Sequence, residues 1–98
     1  MQQRDLLKKL LRVERTVNVY YVESDELLEE INIDNIPFDE LKKIVPPTAD
    51  DPLLYDGYEL DIIQVEKINF YLSKKIVTDF NLYTYILVCG GIYNWDAE

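Results

Sequence analysis

Hydrophobic positions change period several times along the chain, and each change predicts an element. In residues 3–12, Leu6, Leu7, Leu10 and Leu11 line up at helical spacing, with Arg4, Lys8, Lys9 and Arg12 around them. This stripe predicts a short amphipathic helix that must pack on something to be stable. Residues 16–23 (TVNVYYVE) then alternate with period two: Val17, Val19 and Tyr21 on one side, Asn18, Tyr20 and Val22 on the other. β-branched and aromatic content supports a strand. The polar triplet Ser24, Asp25, Glu26 suits a turn, and residues 27–34 (LLEEINID) read as a second strand with Leu27, Ile31 and Ile33 on one side. So short a connection predicts an antiparallel hairpin. Glu29 shares a face with Ile31, which places it near the strand end in reach of water.

A helix is predicted next. Asn35 is a candidate N-cap, Pro37 stands in the first turn, and Asp39 and Glu40 precede Lys42 and Lys43 as the helix dipole favours. Phe38, Leu41 and Val45 form its apolar stripe, and Pro46-Pro47 stops it. Residues 48–60 (TADDPLLYDGYEL) form the longest irregular segment, with turn signals at Asp50-Asp51-Pro52 and Asp56-Gly57. Residues 61–73 read as a helix with Asp61 as its cap or a first-turn residue and Ile62, Val65, Ile68, Phe70 and Leu72 as its stripe, although the run NFYL is apolar enough for a strand. Residues 81–89 (NLYTYILVC) are the clearest strand, and both of its faces are apolar enough for a central position. Gly90-Gly91 either turns the chain into a last strand, Ile92–Trp95, or releases it.

These elements predict one α+β domain over 1–98: a three- or four-stranded, mainly antiparallel sheet with two or three helices packed on it. Residues 1–15 form its basic amphipathic N-terminal helix, 16–90 its core, and 91–98 a C-terminal tail or short strand. The N-terminal helix covers the sheet, serves as a dimer arm, or lies on a membrane, and the acidic remainder disfavours the last.

Charge sharpens the picture. The chain carries 19 Asp and Glu against 10 Lys and Arg, a net charge of −9. Residues 16–66 hold 14 acids and only two bases, Lys42 and Lys43, so this central stretch carries −12. Such a surface repels nucleic acid and anionic lipid and speeds encounters with basic partners. It also serves plain solubility.

Several chemistries lack their residues. There is no His and one Cys, so the usual zinc sites and an internal disulfide are unavailable. No His stands ready for acid–base work, and no motif pairs the carboxylates. An EF-hand fails as well: with Gly57 at loop position 6, positions 1, 3 and 12 fall on Pro52, Leu54 and Ile63. Cys89, in an apolar strand, reads as a small core residue. The expectation is a non-enzymatic protein with no cofactor and no metal. A single cysteine fits a reducing compartment. The charged opening residues predict no signal peptide, and the longest apolar run, Tyr85–Cys89, is five residues, far short of the ~20 needed to span a bilayer. A cytoplasmic location follows as an expectation.

One segment stands above background. Between residues 50 and 60, Asp50, Asp51, Asp56 and Glu59 interleave with Tyr55 and Tyr58. Tyrosine gives large contact area at small entropic cost, and carboxylates meet Lys or Arg on a partner. Two arrangements remain open: an interface, or tyrosines packed back on the sheet with the acids solvated. Glu26, Glu29 and Glu30 form a second acidic set.

The segments VYYVESDELLEEINID, IPFDELKKI, DDPLLYDGYEL and FNLYTYILVC, in that order, resemble small acidic bacterial immunity proteins of polymorphic-toxin and contact-dependent growth-inhibition systems. The likeness covers about residues 17–90. It implies a cytoplasmic inhibitor that binds one cognate toxin domain. Joined to the acidic charge, it leads to an expected partner: a basic toxin C-terminal domain, a nuclease in the first instance, whose active site is occluded by Asp50, Asp51, Tyr55, Asp56, Tyr58 and Glu59, with Glu26, Glu29 and Glu30 in support. Neither nucleic acid nor membrane is an expected partner. The competing expectation is a structural or regulatory module that forms a homodimer or larger homo-oligomer through the 81–89 strand edge and the leucine-rich helix.

Overall fold

The computed structural model describes residues 10–93, and side-chain surroundings for 13–91. Its elements run β1 (Leu10–Tyr21), β2 (Leu27–Asn32), α1 (Phe38–Ile44), β3 (Tyr58–Glu59), α2 (Ile62–Asn69) and β4 (Tyr83–Tyr93). The strands form one antiparallel sheet in the order β2-β1-β4-β3, and both helices pack against it. This is the α+β layer that the alternating pattern predicts.

β1 and β4 are the long central pair. They align from Leu10 opposite Tyr93 to Tyr21 opposite Tyr83. The β1–β2 hairpin turns at Asp25, which adopts φ 58°, a left-handed conformation that Asp tolerates. Its mouth is closed by Tyr21 N–H donating to Glu26 O and Asp25 N–H donating to Tyr21 O, each at 2.9 Å.

One sheet face bears the core. Val17, Val19, Ile33, Tyr85 and Leu87 are buried there with Leu41 and Val45 from α1 and its end, and Val65, Ile68 and Leu72 from α2 and beyond. The other face carries Thr16, Asn18, Tyr20, Thr84, Ile86 and Val88. Asn18 is buried on that side, where its amide oxygen accepts from Thr16 Oγ1 at 2.6 Å.

The structure corrects several local expectations. Residues 10–15 of the predicted 1–15 helical segment belong to β1 and are not helical; residues 1–9 lie outside the described residues. Pairing with the far end of β4 supplies a hydrogen-bonded partner that a short helix lacks. Gly90-Gly91 does not turn the chain: β4 runs through both to Tyr93, and residues 94–98 lie outside the description. Asn35 does not cap α1, because its side-chain amide donates to Tyr71 O at 2.6 Å; Pro37 holds the N-cap position without a side-chain bond.

Helix α2 begins as predicted. The Asp61 side chain accepts from Gln64 N–H at 2.8 Å, and the Gln64 side chain accepts from Asp61 N–H at 2.9 Å, a reciprocal capping box. It ends four residues early. The Asn69 side chain accepts from Ile76 N–H at 2.7 Å and donates to Ile76 O at 3.1 Å. Lys75 Nζ caps Asn69 O at 2.6 Å and Leu72 O at 2.5 Å. Of the predicted inward stripe, Val65, Ile68 and Leu72 are buried, while Phe70, just past the helix end, is 82% exposed and Ile62, in the first turn, is exposed.

Candidate functional site

The 46–57 connection, between α1 and β3, is an ordered loop built around one carboxylate. Asp51 is only 6% exposed. Its Oδ1 accepts from Tyr55 N–H at 2.9 Å, and its Oδ2 accepts from Asp56 N–H at 3.0 Å and from the Tyr58 hydroxyl at 2.6 Å. Two backbone bonds tighten the preceding turns: Asp51 N–H to Thr48 O at 3.0 Å and Leu54 N–H to Asp51 O at 3.2 Å. The Tyr58 hydroxyl, burial notwithstanding, holds the Asp51 carboxyl below its ordinary range, aided by the Asp56 and Tyr55 amides and by Arg15.

Two further anchors tie the loop to the sheet. Leu54 is fully buried although its φ is +56°, a region that disfavours residues with a Cβ. The core contact and the Asp51 bonds around it over-determine that strained position. From β1, Arg15 Nη2 donates to Leu53 O at 2.6 Å, while its guanidinium lies 4.8 Å from the Phe38 ring centroid. Arg15 Nε is enclosed without a hydrogen-bond partner among the described residues. The Arg15 backbone N–H is held by Asp34 Oδ1 at 2.9 Å.

Asp50, Asp51, Tyr55, Asp56 and Tyr58 thus come together, but in different roles. Asp51 and Tyr58 face inward and scaffold the loop. Asp50, Tyr55 and Asp56 face outward with Leu53; Tyr55 is 52% exposed. Glu59 is exposed and, by alternation with Tyr58, stands on the opposite sheet face. Glu26, Glu29 and Glu30 are exposed as well, at β2, the other edge of the sheet. Three strand spacings, about 14 Å, separate the two acidic sets. They form two surfaces.

Arg15 and Leu54 are the site residues that sequence reasoning missed. Arg15 is the last base before 26 residues that contain none, but nothing in the pattern separates it from Arg4, Lys8, Lys9 and Arg12 before it. Leu54 sits in an apolar pair inside an acidic loop, a pattern that marks a plug.

The family described as "Domain of unknown function (DUF7683)" matches residues 14–88, most of the chain. The chain belongs to the DUF7683 family. The DUF7683 match starts inside β1 and ends inside β4, so it spans both helices, the whole 46–57 loop and the β2 edge. No curated protein and no solved structure matches the chain.

Chemically, the loop offers a rigid surface of carboxylates and one tyrosine. Among the described residues no group of three or more Asp, Glu or Cys side chains could hold a metal ion. Among them, too, no helix is long and apolar enough to cross a membrane. Cys89 is half-buried opposite Arg15; burial pushes its thiol up, Arg15 opposes this, and Asp34 and Asp51 add to it. It is held as a thiol at neutral pH, which suits packing over nucleophilic attack.

Proposed function

We propose that this domain is a cytoplasmic immunity protein that neutralises a basic toxin domain, a nuclease in the first instance, by covering its active site with the 50–59 surface. The observation that carries this reading is the Asp51 scaffold. By tying Tyr55 N–H, Asp56 N–H and the Tyr58 hydroxyl to one carboxylate, it presents Asp50, Tyr55 and Asp56 in a fixed conformation. A preordered loop loses little entropy on binding, so more of each contact appears as affinity. The net charge of −9 favours fast capture of a cationic cleft built for polyanions. Asp51 and Tyr58 contribute by positioning, and the contacts fall to Asp50, Tyr55 and Asp56, while Glu59, on the opposite sheet face, adds to the acidic field.

The competing homo-oligomer reading draws less support. The 81–89 strand edge is already occupied in part: β3 pairs with Ile86 and Leu87, and Leu60 N–H donates to Tyr85 O at 2.8 Å.

Co-expression of the tagged chain with the protein encoded immediately upstream tests the proposal. The expected result is a 1:1 complex that survives ~150 mM salt, where exposed charge is largely screened, and rescue of growth. A chain that runs alone and leaves the upstream protein's toxicity intact refutes it.

A further inference from the structure

The outer edge of β2 and the groove beside it form a second surface, remote from the 50–59 loop. Among the described residues no strand pairs with that edge. Ile33 N–H donates to Arg15 O at 3.0 Å, which fixes the phase of the β1–β2 ladder. Antiparallel alternation then directs Ile31 and Glu29 toward β1 and turns the backbone N–H and C=O of Glu30 and Asn32 outward. The ladder also contains a bulge. Val19 pairs with Glu29 and Tyr20 with Leu27, so Leu28 is the extra residue. Neighbours on a regular strand face opposite ways, yet Leu28 and Glu29 both line one groove of about 350 Å³. Ile31, Val77 and Tyr83 supply apolar walls. Lys74 and Lys75 stand on the far wall, across the groove from the acidic edge, and the Lys75 ammonium is engaged by Asn69 O and Leu72 O. Val77, in the groove wall, is 76% exposed.

The charge of this edge selects among occupants. Residues 23–30 contain five acids, Glu23, Asp25, Glu26, Glu29 and Glu30, and no base. A second copy paired antiparallel about Glu30, the outward-facing residue in the middle of β2, sets Glu30 against Glu30, and like charges directly opposite are destabilising. Acids and a bulge guard an edge against its own kind, and the same acids favour a cationic strand.

We propose that β2 accepts a basic, extended segment of another protein by strand addition. The incoming main chain pairs with Glu30 and Asn32. Alternate apolar side chains enter the groove against Leu28, Ile31 and Val77, and the Lys or Arg side chains between them, on the opposite face, meet Glu30. This surface stands apart from the loop, and the inference does not depend on the loop's role.

The test uses the full chain, labelled with ¹⁵N, and a peptide of roughly eight residues that alternates Lys and Val, near the common strand length. A Glu–Val peptide and a Lys–Pro peptide serve as controls. Saturable binding of the Lys–Val peptide alone is expected at ~150 mM salt, with shifts at Leu28 and Val77. Amide exchange at Glu30 and Asn32 should slow about tenfold or more. Glu30→Pro removes an outward N–H and spares the β1 ladder, and Val77→Asp puts charge into the groove without touching the edge; each should weaken binding at least about tenfold. Absence of saturable binding overturns the inference. So does binding that centres on residues 50–59 and ignores both variants, or a free chain that dimerises through β2 in sedimentation and exchange measurements.

Discussion

The Tyr58 hydroxyl donates to the Asp51 carboxylate at 2.6 Å, and this bond divides the acidic loop into an inside and an outside. Asp50 and Asp51 are neighbours of identical chemistry, yet one is exposed and the other buried. Tyr55 and Tyr58 part in the same way. The inward pair builds the surface that the outward residues present.

That bond gives stability a pH signature. The native Asp51 pKa lies below its ordinary value of 3.8, chiefly through Tyr58. A depressed carboxylate contributes stability that is fully present above the unfolded pKa of about 3.9 and is lost as pH falls through the native one. Tyr58→Phe is expected to lower Tm by about 5 °C at pH 7. The gap between wild type and variant should narrow as pH drops from 4 toward 2. Urea titrations across that range check it, and a gap that stays constant contradicts the assignment.

Charge reversal separates scaffold from surface. The double change Asp50→Lys and Asp56→Lys alters two exposed side chains of the loop and should move folding stability by no more than about 1 kcal/mol. Binding to the upstream-encoded protein is expected to weaken at least tenfold, with a shallower dependence on salt. Calorimetry at two salt concentrations reads both effects. Unchanged affinity at low salt would remove the 50–59 surface from the interface.

How much of this was legible in the sequence follows from which forces are local. The Asp61 cap, the Pro46-Pro47 stop and the alternation of Val17 and Val19 are decided within a few residues, and they read correctly. The start of β1 was illegible because its partner lies some 80 residues away: Leu10 meets Tyr93 only in the folded sheet. Leucines at helical spacing and a Gly-Gly pair both carry the opposite local signal. The early end of α2 depends on Asn69 and Lys75 reaching across a turn, which no periodicity records. Within the site, the candidate residues were found but not their orientation, since composition cannot distinguish Asp50 from Asp51.

Tyr85 is a second buried node of the same kind. It is fully buried; its hydroxyl donates to Val77 O at 2.5 Å and accepts from Asp79 N–H at 2.9 Å, and burial pushes its pKa up. Tyr85→Phe keeps the ring, which stacks at a tilt on Phe80 with centroids 4.8 Å apart, and leaves two backbone groups without their partner. The expected loss is about 2 kcal/mol. Hydrogen exchange should rise first at Asp79, next to the groove wall at Val77. A variant as stable as wild type would mean that water replaces the hydroxyl at no cost.

Leu54 sets two forces against each other, and substitution separates them. Its side chain is fully buried, so Leu54→Ala is expected to cost about 2–4 kcal/mol through lost burial and the cavity left behind. Its φ of +56° adds a backbone penalty that any residue with a Cβ shares and glycine avoids. In an ordinary loop position glycine is worse than alanine, because it gives the unfolded chain more freedom. Here the order should reverse, with Leu54→Gly about 0.5–1 kcal/mol more stable than Leu54→Ala. Denaturant melts of the two variants at pH 7 decide the point. If glycine proves the less stable, the left-handed turn is not what the Asp51 scaffold is holding in place.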